Sequence, residues 1–309
     1  MRKISTFVKK PISVFYKCVA ITLIGAWSPS CLVVPPPIES HYNRGVDFYD
    51  QGEYSKAIEQ YKLALIARPE NHFALYNLAV AYHDEGKSEK AEKLYKEILN
   101  VREDTNSRIN LAALYMEQGK TDEALNQLRS SVQTDNDNPN PASILGEYLE
   151  KLGQLSESEI LYRKALSIDE KHAPTHYRLG SYFIKRGEFD KAESHLKQAT
   201  NLEPKNPSYI QDLAKEQERR GRPMEAIALY ERIILLQPDR PEIWIQLGNL
   251  YKQNNYHKEA ATSYWTALDL NQNNPTIRRA LLETYQALST QEKESIQAIE
   301  SINAIARKR

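Results

Sequence analysis

His172 and His176, four residues apart, are the first pair in this chain with a spacing that could hold a metal ion. On one helix such a pair shares a face, and two imidazoles there can ligate zinc. Ala173-Pro174 lies between them, and proline is tolerated in the first turn of a helix but not in its interior. A helix that starts between the two histidines puts them on different faces, and His176 falls on a packing position, so no metal site is assigned. No glycine-rich loop of the kind that cradles phosphate occurs, and no Ser, Cys or His stands in a triad-like context. The Glu and Asp pairs fall where helices meet water, and ordinary solvation accounts for them. No catalytic residue and no cofactor is expected.

Binding chemistry is better represented. Asn43, Asn77 and Asn110 recur 34 and 33 residues apart, and a side-chain amide both donates and accepts hydrogen bonds. It can therefore pair with a peptide group whatever side chain that group carries. Around the three amides stand Tyr42, Val46, Tyr49, Phe73, Tyr76, Val80, Ile109, Ala113 and Met116, an aromatic and apolar set. Helix packing does not require aromatics at such positions, which points to a hydrophobic binding strip. The amide series ends there, since the next occupants are Ile144, Arg178, Asp212 and Gln246. Further along, Glu147, Glu150, Lys151, Arg178, Lys185, Asp212, Lys215 and Glu218 make the same face polar.

The elements that position these residues follow from a period of about 34 residues, the signature of a solenoid. Leu179-Gly180 is followed by Phe183, Gly187, Ala192, Leu196, Ala199 and Pro204. One period earlier stand Leu145-Gly146, Leu149, Gly153, Ser158, Tyr162 and Ala165, and two periods later Leu247-Gly248, Tyr251, Asn255, Ala260, Tyr264 and Ala267. Within a period two apolar stripes recur at helical spacing: Leu75, Leu78, Ala79 and Tyr82, then Ala91, Leu94, Tyr95 and Ile98. Gly86 between them suits a helix end in a left-handed conformation. Pro69, Pro204 and Pro238 stop the second helix of their units.

This pattern resembles the tetratricopeptide repeat family. The resemblance covers residues 38 to 274 and implies an all-α fold, a right-handed α-solenoid of antiparallel helix pairs. Seven units are expected at 38–71, 72–104, 105–138, 139–172, 173–206, 207–240 and 241–274. Asn255 in place of the turn glycine, Ser158 in place of alanine, and several missing terminal prolines depart from the family pattern. In that family the first helix of each unit lines a concave groove, at its second, fifth, sixth, ninth and twelfth positions. The resemblance therefore makes Tyr42, Asn43, Val46, Tyr49, Phe73, Tyr76, Asn77, Val80, Ile109, Asn110 and Ala113 candidate groove residues. The asparagines resemble the ladder by which some related solenoids hold an extended peptide backbone. Relatives that clamp a C-terminal carboxylate use Lys and Arg, whereas Tyr42, Val46, Asn106 and Asn110 stand at the comparable positions here.

The two ends differ from the array. Residues 1–30 read as a signal peptide or membrane anchor and 31–37 as a proline-rich spacer. Arg2, Lys3, Lys9, Lys10 and Lys17 precede an apolar run from Cys18 to Trp27, a length suited to a secretory signal. Ser28, Ser30 and Cys31 follow, which resembles a bacterial lipoprotein signal cut before a cysteine that is then lipidated, although Ser28 stands where that family prefers leucine. A plain cleaved signal and an uncleaved anchor over residues 18–34 are the alternatives. At the other end, residues 275–309 read as capping helices and a basic tail. One helix covers 276–288, a capping box at Ser289 and Glu292 starts a second, and that one carries Ile296, Ile299, Ile302 and Ile305.

The chain carries 41 basic and 41 acidic residues. Without residues 1–30 it holds 36 basic against 41 acidic, a net of about −5. Nucleic-acid binding, which needs clustered Lys and Arg, is not expected. The expected function is a non-catalytic adaptor of the bacterial cell envelope that binds a protein or peptide and is held to the membrane through Cys31. The alternative is a substrate-recruiting subunit of an enzyme or assembly complex.

Overall fold

The computed structural model describes the backbone of residues 37–306 except residue 273, and within that range the side chains of residues 41–293. The signal or anchor, Cys31 and the basic tail lie outside the described residues. Fourteen helices form seven consecutive antiparallel pairs: α1 (Pro37–Asp50) with α2 (Tyr54–Ala67), α3 (His72–Asp84) with α4 (Ser88–Val101), α5 (Thr105–Glu117) with α6 (Thr121–Thr134), α7 (Pro139–Lys151) with α8 (Leu155–Ile168), α9 (Ala173–Lys185) with α10 (Phe189–Leu202), α11 (Pro207–Arg219) with α12 (Pro223–Leu236), and α13 (Pro241–Gln253) with α14 (His257–Leu270). A single long helix, α15 (Pro275–Ala306), follows. The fold is an all-α solenoid, and it gathers into two compact units that divide after Asp169. No helix among the described residues is long and apolar enough to cross a membrane.

Local chemistry sets each boundary. Asn71, Asp104, Asn138 and Asn206 cap the first helix of the next pair, each accepting a hydrogen bond from a backbone N–H of the first turn. At the turn within a pair, Gly86 has φ of +81°, a conformation that costs L residues steric strain. Asn255 takes the same left-handed conformation in the last pair, with φ of +63°. Asparagine is the side chain that best tolerates it, which explains why this turn forms without glycine. Within a pair the helices approach closely: a Cβ on Gly248 would stand 2.8 Å from the Tyr264 ring.

The core is the row of residues that the repeat pattern predicts. Tyr61, Tyr95 and Tyr162 in the first unit, and Tyr230 and Tyr264 in the second, are buried together with Ala57, Ala91, Ala165, Ala226 and Ala260. Packing rather than chemistry accounts for these residues.

The C-terminal end differs from the expectation. Residues 275–306 form one continuous helix, with no second helix beginning at Ser289. No proline or glycine interrupts the segment. Thr284 and Thr290 donate to the carbonyls of Ala280 and Gln286 one turn earlier, at 2.7 and 3.0 Å, so the hydroxyls are satisfied inside the helix.

Candidate binding face of the first repeats

The first helices of the first three pairs lie side by side, α1 against α3 and α3 against α5. Their facing residues follow a rule visible only once the repeats are stacked. Position 5 of one repeat meets position 6 of the next. Asn77 Nδ2 donates to Tyr42 Oη at 3.1 Å, and Asn110 Nδ2 donates to Tyr76 Oη at 2.9 Å. Ile109 and Ile144 make the third step apolar, both buried. In the second unit Tyr177 Oη donates to Asp212 at 2.6 Å, the same step with a carboxylate as acceptor. Burial pushes the Tyr42 and Tyr76 phenols up, and the asparagine amides partly offset this.

These rungs sort the sequence-predicted residues. Tyr42, Tyr76, Asn77, Val80, Ile109 and Asn110 are buried. Val46, Tyr49 and Ala113 are half-buried, as is Met116. Asn43 and Phe73 are exposed, Phe73 at 44%. Two of the three ladder amides therefore hold neighbouring repeats together through tyrosine hydroxyls, and Asn43 is the one that faces solvent. The strip that meets solvent is Asn43, Val46, Tyr49, Phe73, Ala113 and Met116. Its upper edge carries a second series of links: Tyr49 Oη donates to Asp84 at 2.5 Å, and His83 Nε2 meets Glu117 at 3.0 Å.

The polar residues expected to continue the face are largely matched inside the protein. Lys151 pairs with Glu147 at 2.6 Å, Tyr162 Oη donates to Glu150 at 2.8 Å, Lys215 pairs with Asp212 at 2.9 Å, and Tyr230 Oη donates to Glu218 at 2.5 Å. His172 Nδ1 lies 2.6 Å from Thr175 Oγ1, while His176 Nδ1 meets His195 Nδ1 at 3.0 Å and its Nε2 faces the Glu170 carbonyl. His172 and His176 thus have separate partners. Among the described residues no group of three or more His, Cys, Asp or Glu is placed to hold a metal ion.

One cluster escaped the sequence reading. Glu193 is buried and collects Gln217 Nε2 at 3.0 Å, Lys197 at 2.6 Å, Arg222 at 2.8 Å and Arg220 at 3.2 Å. Burial by itself would raise its pKa; hydrogen bonds from Gln217 and Lys197 and the charges of Lys197 and Arg220 outweigh burial and hold it down at about 2. The signal was present: Glu193 and Gln217 replace apolar or aromatic residues at two positions that face each other across successive repeats. Glu92, three repeats earlier, stands at the position of Glu193 but faces an aromatic residue of the next repeat, with Tyr115 Oη donating to Glu92 at 3.2 Å. Beside the cluster, Phe189 and Arg219 line an open cleft of about 560 Å³, with the guanidinium 3.4 Å from the ring centroid.

Five models of the tetratricopeptide repeat match residues 42–107, 105–134, 149–216, 207–250 and 241–274. Stacked helix pairs with this internal geometry and these matches define the class, and the chain belongs to the tetratricopeptide repeat family. A tetratricopeptide repeat protein from Parabacteroides merdae is 21% identical over 81% of this chain and 99% of its own, with a TM-score of 0.50. The C-terminal part of a repeat protein from Cytophaga hutchinsonii is 18% identical over 78% of this chain and 99% of its own, with a TM-score of 0.52. A chain of the APC/C Cut9–Hcn1 hetero-tetramer is 15% identical over 82% of this chain, with a TM-score of 0.57, and this chain spans 50% of its length. These likenesses establish the fold. No curated protein matches the chain significantly in sequence.

Proposed function

We infer that the protein is a non-catalytic interaction scaffold of the bacterial cell envelope, tethered through Cys31, whose first three repeats receive an extended peptide or a segment of a partner protein. The observation that carries the binding site is the exposed Phe73 on α3 together with half-buried Val46, Tyr49, Ala113 and Met116 on the adjacent helices α1 and α5. Buried aromatic anchors dominate protein recognition, and a strip of this kind offers an apolar partner the area to supply them. The Tyr42–Asn77 and Tyr76–Asn110 hydrogen bonds support that strip from below, and Asn43 leaves one amide able to pair with a peptide group. Membrane attachment rests on the sequence preceding Cys31.

Photo-crosslinking in the native envelope tests the site. A photoreactive residue placed at Phe73 or Val46 is expected to capture the same partner, and one placed at Ile160, exposed at 67% on α8, is not. Phe73→Asp should weaken that partner's binding by about tenfold or more, with Ile160→Asp neutral. Equal capture from Ile160 would remove the assignment.

A further inference from the structure

The last helix has an uncovered side. Ile277 and Leu281 of α15 are buried in one cluster with α14 and close the last repeat, and Thr284 is buried as well. Leu282 and Tyr285, one position further round the helix, are 58% and 48% exposed. In a full repeat these two places face the second helix of the pair: Gly248 and Tyr251 occupy them in the seventh. After α15 there is no returning helix among the described residues, because α15 continues straight to Ala306. Its length of roughly 48 Å, at about 1.5 Å per residue, carries it well past the part that packs on α14.

The register of the continuous helix identifies what suits this side. Leu282, Tyr285, Ser289, Glu292, Ile296 and Ile299 succeed one another in alternating steps of three and four residues, the heptad spacing of a coiled-coil seam. The seam is self-complementary when read backwards. A two-fold axis passing between Thr290 and Gln291 puts Leu282 opposite Ile299, Tyr285 opposite Ile296, and Ser289 opposite Glu292. The apolar residues meet at both ends, and at the centre a hydroxyl meets a carboxylate. Parallel pairing would instead set Glu292 against the Glu292 of the second helix, a like-charge contact that disfavours that arrangement. A closed two-fold interface of this kind uses the same surface on both partners.

We propose that α15 is a dimerisation helix that pairs antiparallel with α15 of a second copy of this chain, through the seam from Leu282 to Ile299. The proposal is independent of the binding face on the first repeats.

Reciprocal charges test both pairing and direction, using the full chain in detergent. Molar mass by light scattering, with the detergent contribution subtracted, should show a dimer at micromolar concentration. Tyr285→Glu alone and Ile296→Glu alone should each raise the dimer dissociation constant by at least about tenfold. Tyr285→Glu combined with Ile296→Lys should restore it to within about threefold of the parent, because each new carboxylate then faces a lysine of the partner. Unchanged circular dichroism confirms that each variant is folded, and Tyr285 lies on the exposed side of α15. A monomeric parent, a dimer indifferent to Tyr285→Glu, or a combined variant that fails to recover would each overturn the proposal.

Discussion

Glu193 shows how one carboxylate can hold two repeats together. It sits on α10, while Gln217, Arg220 and Arg222 reach it from α11 and the turn beyond, so its hydrogen bonds cross the boundary between repeats. Its folded pKa of about 2 lies below the ordinary carboxylate value near 4.5. A depressed pKa stabilises the fold above the unfolded value, and the stabilisation fades as pH falls towards the folded one. The contribution is therefore complete at neutral pH and lost between about pH 5 and pH 2. Glu193→Gln keeps the shape and the acceptor oxygen but removes the charge. It should cost on the order of 2 kcal/mol at pH 7, and the difference from the parent should shrink steadily in chemical denaturation series taken down to pH 3. A difference that stays constant with pH would mean that the charge contributes nothing. The same cross-repeat logic governs Asn77 and Asn110. Their amides read from the sequence as groups for a ligand, and in the fold they face tyrosine hydroxyls one repeat away.

At the scale of the helix pair, the turn residue decides how tightly the chain reverses. Gly86 at φ of +81° and Asn255 at φ of +63° perform the same reversal with different side chains. Gly86→Ala should destabilise the protein by about 1 kcal/mol, since a Cβ is disfavoured in that conformation. Gly86→Asn should cost less, because asparagine is already accepted at the matching turn. Thermal melts of the two variants should rank in that order, and the reverse ranking would contradict it. No heavy atom lies within 4 Å of a Cβ built on Gly86, so the cost is conformational and does not arise from a clash. Helix pairs were legible in the sequence because their two apolar stripes, turn glycine and closing proline are local features. Position 5 facing position 6 of the next repeat was not, since the partners are 34 or 35 residues apart and the pairing changes chemistry from Tyr–Asn to Ile–Ile to Tyr–Asp. The end of the array was misread for a related reason. Ser289 and Glu292 carry a capping-box pattern, but no proline or glycine interrupts the segment and the helix runs through it.

At the scale of the whole molecule, the question is what keeps a surface-building array where its partner is. Solenoid repeats typically build interaction surfaces, so location and exposed strips carry the information about the task. The proposed tether at Cys31 makes a specific demand on the mature chain. Removal of residues 1–30 takes away Cys18 and five basic residues, leaving Cys31 as the sole cysteine, with five residues between it and the start of α1 at Pro37. One acyl chain gives only marginal, reversible attachment, so stable anchoring through this cysteine requires more than one chain on the new terminus. The intact mass of protein isolated from native membranes should therefore correspond to residues 31–309 plus several acyl groups. Cys31→Ser should release the array from the membrane fraction without altering its helix content, because α1 begins at Pro37, beyond Cys31. A native chain that starts at Met1, or one cut elsewhere and bearing no lipid, would refute the tether. The binding strip on α1, α3 and α5 and the seam on α15 would then stand on their own tests, since neither depends on residues before α1.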